Sequence, residues 1–167
     1  MPTRQGCSRA ILRNTLRIMK NCKIDRLEEF VGYGECFEVR VNGESMLPLL
    51  GYGSDTLIIR RVDTHEPIEG RIAMYRPAPN HYITHRVMRI DGKNVYLLGD
   101  GRLTYDAPIS RDKIVGIVEG VIRQDGHKEC CTSLSWRIRE RLWLMQPLII
   151  RRFTLAIIRR WMKLTKR

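Results

Sequence analysis

The feature that most constrains the fold is a series of six short segments in which β-branched residues are frequent and apolar and polar residues tend to alternate. The segments are FEVRV, TLIIRRV, RIAMYRP, ITHRVMRI, NVYLLGD and IVGIVEGVIR, all within residues 37–123. Between them lie stretches rich in Gly, Pro, Asn and Asp, the residues that turns require. Six strands so close together, with no helical segment among them, predict a small, mainly β and mostly antiparallel fold.

Both ends of the chain have the pattern of helices with basic residues. Residues 8–20 space their apolar positions as a helix does, and residues 23–31 add a second short helical segment. The C-terminal stretch is also helical in pattern, with a break near Pro147, because proline interrupts helical hydrogen bonding. We therefore expect a basic N-terminal helical segment (1–33), a β-domain (34–124), a linker (125–134) and a basic amphipathic C-terminal helical segment (135–167).

Charge is distributed as unevenly as the predicted secondary structure. The chain has a net charge of +12, yet residues 24–134 hold 14 basic and 17 acidic residues. Residues 1–23 hold six basic residues and no acidic ones, and residues 135–167 hold ten basic residues and one acidic residue. Basic arms on a mildly acidic domain indicate contact with an anionic surface.

The C-terminal segment suggests what that surface is. Its apolar residues recur at steps of three and four, at Leu142, Met145, Ile149, Phe153, Ile157 and Trp161. Such a helix is typical of one that lies in a membrane interface, and packing on its own domain is an equal alternative. Nucleic acid ranks below both, because the segment is strongly apolar on one side and contains no nucleic-acid-binding motif. No stretch reaches the roughly 20 apolar residues of a spanning helix, and no signal peptide precedes the domain. We expect a cytoplasmic protein, with peripheral contact to an anionic membrane through this helix.

The cysteines indicate neither a disulfide framework nor a metal site. Their number is odd, one pair is adjacent, and none has the CxxC spacing of zinc ligands. The five are Cys7, Cys22, Cys36, Cys130 and Cys131. We expect reduced thiols and no cofactor or metal.

A serine at the end of the first predicted strand raises the question of chemistry. Ser45 lies in NGESMLPLL, where it is either a turn residue or a nucleophile, and a serine nucleophile needs a base. His85 is the only one of the four histidines inside a predicted strand, where a structural role is the alternative. Asp100 and Asp106 follow in the next turn region, each either a turn aspartate or a partner of the base.

Taken together, these residues resemble the signal peptidase/LexA-type superfamily of serine peptidases over about residues 37–123. The similarity is greatest to the His-containing signal peptidases of the endoplasmic-reticulum and archaeal type. The matching motifs are Gly43-Glu44-Ser45-Met46-Leu47-Pro48 for the nucleophile, Gly53-Ser54-Asp55 before an apolar strand, His85-Arg86-Val87 for the base, and Leu98-Gly99-Asp100 followed by Asp106.

The resemblance implies a small, mainly β peptidase domain with a Ser/His site. Ser45 would attack the scissile carbonyl, and His85 would act as the base where bacterial relatives have lysine. Asp106 would orient His85, and Asp100 would hold the loop. The oxyanion would be stabilised by the Ser45 backbone N–H and a second donor. The substrate would lie in extended form beside FEVRV.

The chain also departs from the family pattern in ways that affect the predicted function. We expect no N-terminal membrane anchor, Gly43 replaces a serine that is frequent in signal peptidases, and Glu44 adds a negative charge. It contains no Ala-Gly or Cys-Gly bond of the LexA self-cleavage type. The sequence therefore predicts a serine endopeptidase acting on an extended peptide, such as a signal or leader peptide. The alternative is a catalytically inactive peptide-binding or regulatory protein of the same fold, associated with membrane or nucleic acid through its basic arms.

Overall fold

Strands followed by two helices make up the computed structural model, which describes residues 16–17, 31–51 and 55–165. The strands are β1 (Leu16–Arg17), β2 (Cys36–Arg40), β3 (Thr56–Arg61), β4 (Ile72–Ala78), β5 (His81–Asp91), β6 (Asn94–Leu98), β7 (Ile109–Ser110), β8 (Ile114–Ile122) and β9 (Lys128–Cys130). A 3-10 turn, Arg111–Lys113, joins β7 to β8. All six predicted strand segments are confirmed, as β2 to β6 and β8, and the fold is mainly β.

The described strands form one sheet in the order β1-β2-β3-β8-β4-β5-β6-β7, with β9 paired to β8. Every pair is antiparallel except β1 with β2. Strand β8 pairs with β3, β4 and β9, and its Gly116 lies so close to β3 that a Cβ would be 2.5 Å from the Arg60 carbonyl oxygen. Strands β2 and β5 have three strands between them in this order yet line one cavity, so the sheet curves.

The apolar residues of the strands pack into two buried clusters. One cluster contains Phe37, Leu47 and Ile59, and the C-terminal tryptophans Trp136 and Trp143 belong to it as well. The other cluster is built from β4, β5, β6 and β8, with Tyr75, Val87, Val95, Leu97 and Ile117 as fully buried members. Burial of this apolar surface is the main favourable contribution to folding.

Two helices follow the sheet, as the sequence predicted: α1 (Leu134–Leu144) and α2 (Leu148–Thr165). Ser133 caps α1, because its Oγ accepts a hydrogen bond from the Trp136 backbone N–H at 3.2 Å. Pro147 stands just before α2, where a missing N–H costs nothing because the first turn has no intrahelical acceptor. No helix within residues 31–51 and 55–165 is long and apolar enough to cross a membrane.

Two expectations need correction. The predicted linker at 125–134 contains β9, because Asp125 and Gly126 form a tight turn, with Gly126 at a φ of +83°, that folds the chain back onto β8. The N-terminal helix predicted at 8–20 is wrong at Leu16–Arg17, which are extended and pair with Phe37 and Glu38 on the open edge of β2. The rest of that helix, and the helix at 23–31 apart from Val31, lie outside the described residues.

Candidate active site

Ser45 lies on a tightly turned segment that begins shortly after β2. The Leu47 N–H bonds to the Glu44 carbonyl at 3.3 Å, and the Leu50 N–H bonds to the Met46 carbonyl at 3.1 Å. Met46, Leu47 and Leu50 are buried in the first cluster, whereas Ser45 is half-buried. The apolar residues around the serine therefore fix the turn and leave its hydroxyl at the edge of the core.

A buried carboxylate supports this turn from below. Asp55 accepts hydrogen bonds from the Gly51 N–H at 2.7 Å and from Arg123 Nη1 at 2.6 Å. Arg123 also donates to the Leu49 carbonyl at 3.0 Å. The far side of the Ser45 turn is thereby tied to the end of β8.

His85 is a buried residue of β5, and its side chain is held by Asp106. Its Nδ1 hydrogen-bonds to Asp106 Oδ2, and Asp106 itself is fixed by a 3.0 Å bond from its N–H to the Leu97 carbonyl. A carboxylate oxygen accepts, so Nδ1 is the donor and Nε2 of the neutral ring keeps its lone pair. The structure thus brings together two of the predicted site residues in the relation expected of a base and its orienting acid.

Asp106 is itself held by two residues that sequence reasoning did not identify. Tyr75 Oη donates to its Oδ2 at 3.0 Å, and Arg102 Nη1 pairs with its Oδ1 at 2.9 Å. Burial, and then the neighbouring Asp106, raise the pKa of the Tyr75 phenol, so the phenol keeps its proton and remains a donor. Both Asp106 oxygens are thereby engaged, and the carboxylate cannot rotate freely.

Gly99 is the point where Ser45 and His85 approach each other. A Cβ at Gly99 would be 2.5 Å from the Ser45 carbonyl oxygen and 3.0 Å from His85 Nε2, so only glycine fits without displacement. The Gly101 N–H also donates to the Ser45 carbonyl at 2.7 Å. The loop after β6 therefore contacts both the turn that carries the serine and the histidine ring.

The imidazole nitrogen that faces this loop is unsatisfied. His85 Nε2 is buried and has no hydrogen-bond partner among the described residues. The Ser45 hydroxyl accordingly does not bond to it in this structure. Buried polar atoms are rarely left without a partner, and catalytic hydrogen bonds often form only when substrate is bound. An orphaned Nε2 is consistent with a base that awaits its proton donor.

The other predicted aspartate has a different position. Asp100 lies away from His85 and forms a two-point ion pair with Arg86, at 2.9 and 2.8 Å, with both side chains buried. Arg86 also bonds to the Gly70 carbonyl at 2.8 Å and to Glu140 of α1. Burial lowers the pKa of Arg86, but Asp100 and Glu140 outweigh it and raise the value overall. Successive strand residues point to opposite faces, which is why His85 and Arg86 serve two separate clusters.

The C-terminal helices contact the same loop through its backbone. Trp143 Nε1 donates to the Asp100 carbonyl at 3.1 Å, and Arg151 Nη2 donates to it at 2.9 Å. Arg159 Nη2 donates to the Gly101 carbonyl at 2.8 Å. Sequence reasoning gave packing on the domain as one of two equal alternatives for these helices, and here they contact the loop that lies against both Ser45 and His85.

A groove leads to Ser45 from between two strands. It encloses about 360 Å³ and is lined by residues 39–42 at the end of β2, residues 82–84 at the start of β5, and by Ser45, Leu57 and Met74. Among the described residues, β1 pairs with β2 at Phe37 and Glu38, and β6 pairs with β5 from Arg86 onwards. Residues 39–42 and 82–84, which line the groove, lie outside these two described ladders.

Other chemistry is poorly supported by the described part of the chain. Within it, no group of three or more His, Cys, Asp and Glu side chains is arranged to hold a metal ion. Cys36, Cys130 and Cys131 are free thiols, and burial raises the pKa of Cys36 and Cys131, which keeps those two protonated. The predicted Cys7 and Cys22 thiols lie outside the described residues.

Comparison with known proteins adds no assignment: no family model matches the chain, and no curated protein shows significant similarity to it.

Proposed function

We propose that the chain is a serine endopeptidase in which Ser45 is the nucleophile, His85 the general base and Asp106 the residue that orients the base. The observation that carries the proposal is the state of His85, which is buried with Nδ1 committed to Asp106 and Nε2 unsatisfied beside the Ser45 turn. Most buried polar atoms in proteins have a hydrogen-bond partner, so the open Nε2 beside the Ser45 turn supports the role of base.

The reaction follows from this arrangement. Ser45 Oγ attacks the scissile carbonyl carbon while His85 Nε2 takes the hydroxyl proton, and Asp106 stabilises the imidazolium that forms. His85 then gives that proton to the leaving amine, and an acyl-enzyme on Ser45 remains. Water, deprotonated by Nε2, hydrolyses the ester. The Ser45 N–H is the donor proposed for the oxyanion. Substrate binding, or rotation of the hydroxyl, brings Oγ within hydrogen-bonding distance of Nε2.

The groove favours a peptide in extended form. A strand laid between residues 39–42 and residues 82–84 would hydrogen-bond to backbone edges on both sides, which gives affinity without sequence selectivity. Leu57 and Met74 in the lining favour an apolar side chain near the cleaved bond. Removal of a leader or signal peptide is the processing reaction that the family resemblance adds to this picture.

A peptide-binding protein without catalytic activity is the second candidate. It is favoured by one observation, the absence of a hydrogen bond between Ser45 Oγ and His85 Nε2. The two candidates share the groove but differ in whether the serine is reactive.

Reactivity of the serine is therefore the decisive test. The purified chain is incubated with a fluorophosphonate and, separately, with a library of extended peptides, and labelling and cleavage sites are read by mass spectrometry. We expect label on Ser45 and peptide cleavage, both lost in Ser45→Ala and His85→Ala. Ser110→Ala and His127→Ala are matched controls outside the site and should behave as wild type.

Two results would decide against catalysis. Cleavage that persists in Ser45→Ala would assign it to a contaminant or another residue. If the wild type neither reacts nor cleaves, yet the wild type and Ser45→Ala bind the same library peptides, the peptide-binding candidate replaces the peptidase.

A further inference from the structure

One face of the C-terminal helices is apolar and exposed to solvent. It consists of the apolar side chains that recur at steps of three and four in the C-terminal sequence. Their exposed fractions are 62% for Leu142, 75% for Met145, 71% for Ile149, 67% for Phe153, 69% for Ile157 and 68% for Trp161. Large apolar side chains exposed singly are ordinary, but a continuous row of them marks an interaction surface.

The domain does not cover this row, because it packs against the opposite side of α2. Arg151 and Leu155 are buried, and Ile158 and Met162 pack partly against the core. At about 100° per residue, Leu155 points about 200° away from Phe153. Helix α2 therefore has two apolar sides, one packed against the domain and one largely exposed to solvent.

Exposed basic residues border the solvent-facing row. Arg152, Arg160 and Lys163 are exposed. At about 100° per residue, Arg152 and Lys163 lie beside the arc on its Ile149 side, and Arg160 lies at that edge, between Ile149 and Phe153. Helix α2 contains no acidic residue, so nothing within the helix neutralises this flank. The resulting surface is an apolar arc about one-third of the helix circumference wide with a positive border.

We propose that this face of α2, with the adjoining end of α1, lies in the headgroup region of an anionic lipid membrane. The apolar arc would enter the upper acyl region, Trp161 would lie at the polar boundary that tryptophan prefers, and the basic flank would contact lipid phosphates. Helix α2 lies along the surface rather than across it, since its other side is bound to the domain.

Two other occupants fit the surface less well. A second copy paired through the same face in the isologous manner would bury the apolar arc but bring two unneutralised basic flanks together. Nucleic acid would satisfy the basic flank through its phosphates but leave the apolar arc in water. Only an anionic bilayer offers both an apolar interior and a negative surface at the depth of one helix.

The test uses the full chain with vesicles of phosphatidylcholine alone and of phosphatidylcholine mixed with an equal part of phosphatidylglycerol. Sedimentation measures partitioning, and tryptophan emission reports the depth of Trp161. The chain has three tryptophans, of which Trp136 and Trp143 are buried, so a blue shift comes chiefly from Trp161. We expect binding to the mixed vesicles that weakens with added salt, and a blue shift that Trp161→Phe removes.

Variants separate the apolar from the electrostatic contribution. Phe153→Ser combined with Ile157→Ser should lower partitioning at least about tenfold, because two buried apolar side chains are lost. Arg152→Gln, Arg160→Gln and Lys163→Gln together should lower it by about a hundredfold, at about fivefold per charge. The controls Ala156→Ser with Met88→Ser, and Lys93→Gln with Lys113→Gln and Lys128→Gln, match the helix, polarity and charge changes and should bind as wild type.

Several results would overturn the proposal. Absence of binding to both vesicle types, with the fold intact by circular dichroism, would do so, as would equal binding by the charge variant. A concentration-dependent dimer that Phe153→Ser with Ile157→Ser dissociates would assign the face to a second copy. Tight duplex DNA binding without vesicle binding would assign it to nucleic acid. Ser45→Ala should bind vesicles as wild type, so failure of the peptidase proposal would be recognised separately.

Discussion

Asp100 and Asp106 belong to the same loop between β6 and β7, but their surroundings are opposite in kind. Asp100 is 2% exposed, and a two-point ion pair with Arg86 satisfies its carboxylate. The Asp106 side chain is 14% exposed and hydrogen-bonds to His85, whose second ring nitrogen has no hydrogen-bond partner among the described residues. The Asp100 network is closed, because it ends in a buried ion pair. The Asp106 network is open, because it ends at a ring nitrogen without a hydrogen-bond partner.

Two adjacent residues of β5 therefore have different proposed roles: Arg86 a structural one and His85 a catalytic one. Arg86 points to one face of the sheet and completes a buried ion-pair cluster with Asp100. His85 points to the other face and bonds to Asp106 through one ring nitrogen only. A satisfied buried pair stabilises or specifies a conformation. An unsatisfied ring nitrogen next to a candidate nucleophile is what a general base needs.

The largest expected effect is on the open network. Asp106→Asn places an amide where Nδ1 needs an acceptor, so the imidazole is held in the wrong tautomer, and we expect kcat for the library substrate to fall by about 10³–10⁴-fold. Circular dichroism should show an intact fold. Asp112→Asn, an exposed control outside the site, should keep full activity. An Asp106→Asn enzyme within about tenfold of wild type would refute the role given to this carboxylate.

The closed network should affect stability instead. Arg86→Met leaves Asp100 buried without its counterion, which is expected to lower the free energy of unfolding by about 3–5 kcal/mol in urea titrations. Adding Asp100→Asn to Arg86→Met should restore part of this loss, because the uncompensated charge is then gone.

Arg89→Met is the matched control for Arg86→Met on the same strand. The Arg89 side chain is 62% exposed and 3.8 Å from Asp91, so its loss should cost no more than about 1 kcal/mol. If Arg86→Met lowered the free energy of unfolding no more than Arg89→Met does, the ion pair between Arg86 and Asp100 would not have the structural role given to it.

Gly99 lies against both the Ser45 turn and the His85 ring, and filling its space should affect both stability and turnover. Gly99→Ala forces a Cβ to within 2.5 Å of the Ser45 carbonyl and 3.0 Å of His85 Nε2, which should cost about 1–3 kcal/mol of stability and reduce kcat. Gly43→Ala is the control for stability, since its Cβ would meet nothing closer than Ser45 Oγ at 4.0 Å. Equal stability of the two variants would show that the loop does not pack as tightly as described.

The sequence predicted the parts of this site that depend on local pattern. The alternation in ITHRVMRI places His85 within a strand, and the Gly- and Pro-containing turn places Ser45 at a strand end, so both positions follow from short-range rules. The Asp125-Gly126 hairpin was also readable, as a turn dipeptide followed by a short strand, but the linker interpretation overlooked it.

The supporting residues could not be predicted in this way. Trp143 and Arg151 reach the Asp100 carbonyl across 43 and 51 residues, and Tyr75 reaches Asp106 across 31. Periodicity assigned Trp143 to a helix but contained no information about which backbone carbonyl its indole N–H would meet. Such contacts are fixed by the curvature of the sheet and the docking of α1 and α2, which are tertiary properties.

Tyr75 gives the smallest of these effects and one that depends on pH. Tyr75→Phe removes one donor to Asp106, so we expect the free energy of unfolding to fall by about 0.5–1.5 kcal/mol at neutral pH. We also expect kcat to fall a few-fold.

 The lower kcat follows because Asp106, with one restraint fewer, holds the His85 ring less firmly.

The sign of the pH dependence follows from the Tyr75 pKa, which burial and then Asp106 raise above the ordinary tyrosine value of about 10. Below that pH both states keep the phenol protonated, and the stabilisation is fully present. Above it the unfolded chain loses the proton while the folded chain retains it, so the folded state binds more protons and its stability falls as pH rises. The stability difference between wild type and Tyr75→Phe, measured by urea unfolding, should therefore shrink above about pH 10.

Tyr105→Phe removes an exposed hydroxyl and should leave the stability at neutral pH unchanged. A difference that stays constant or grows above that pH would mean that the Tyr75 phenol is not the buried donor that fixes Asp106, and the open network would then rest on Arg102 alone.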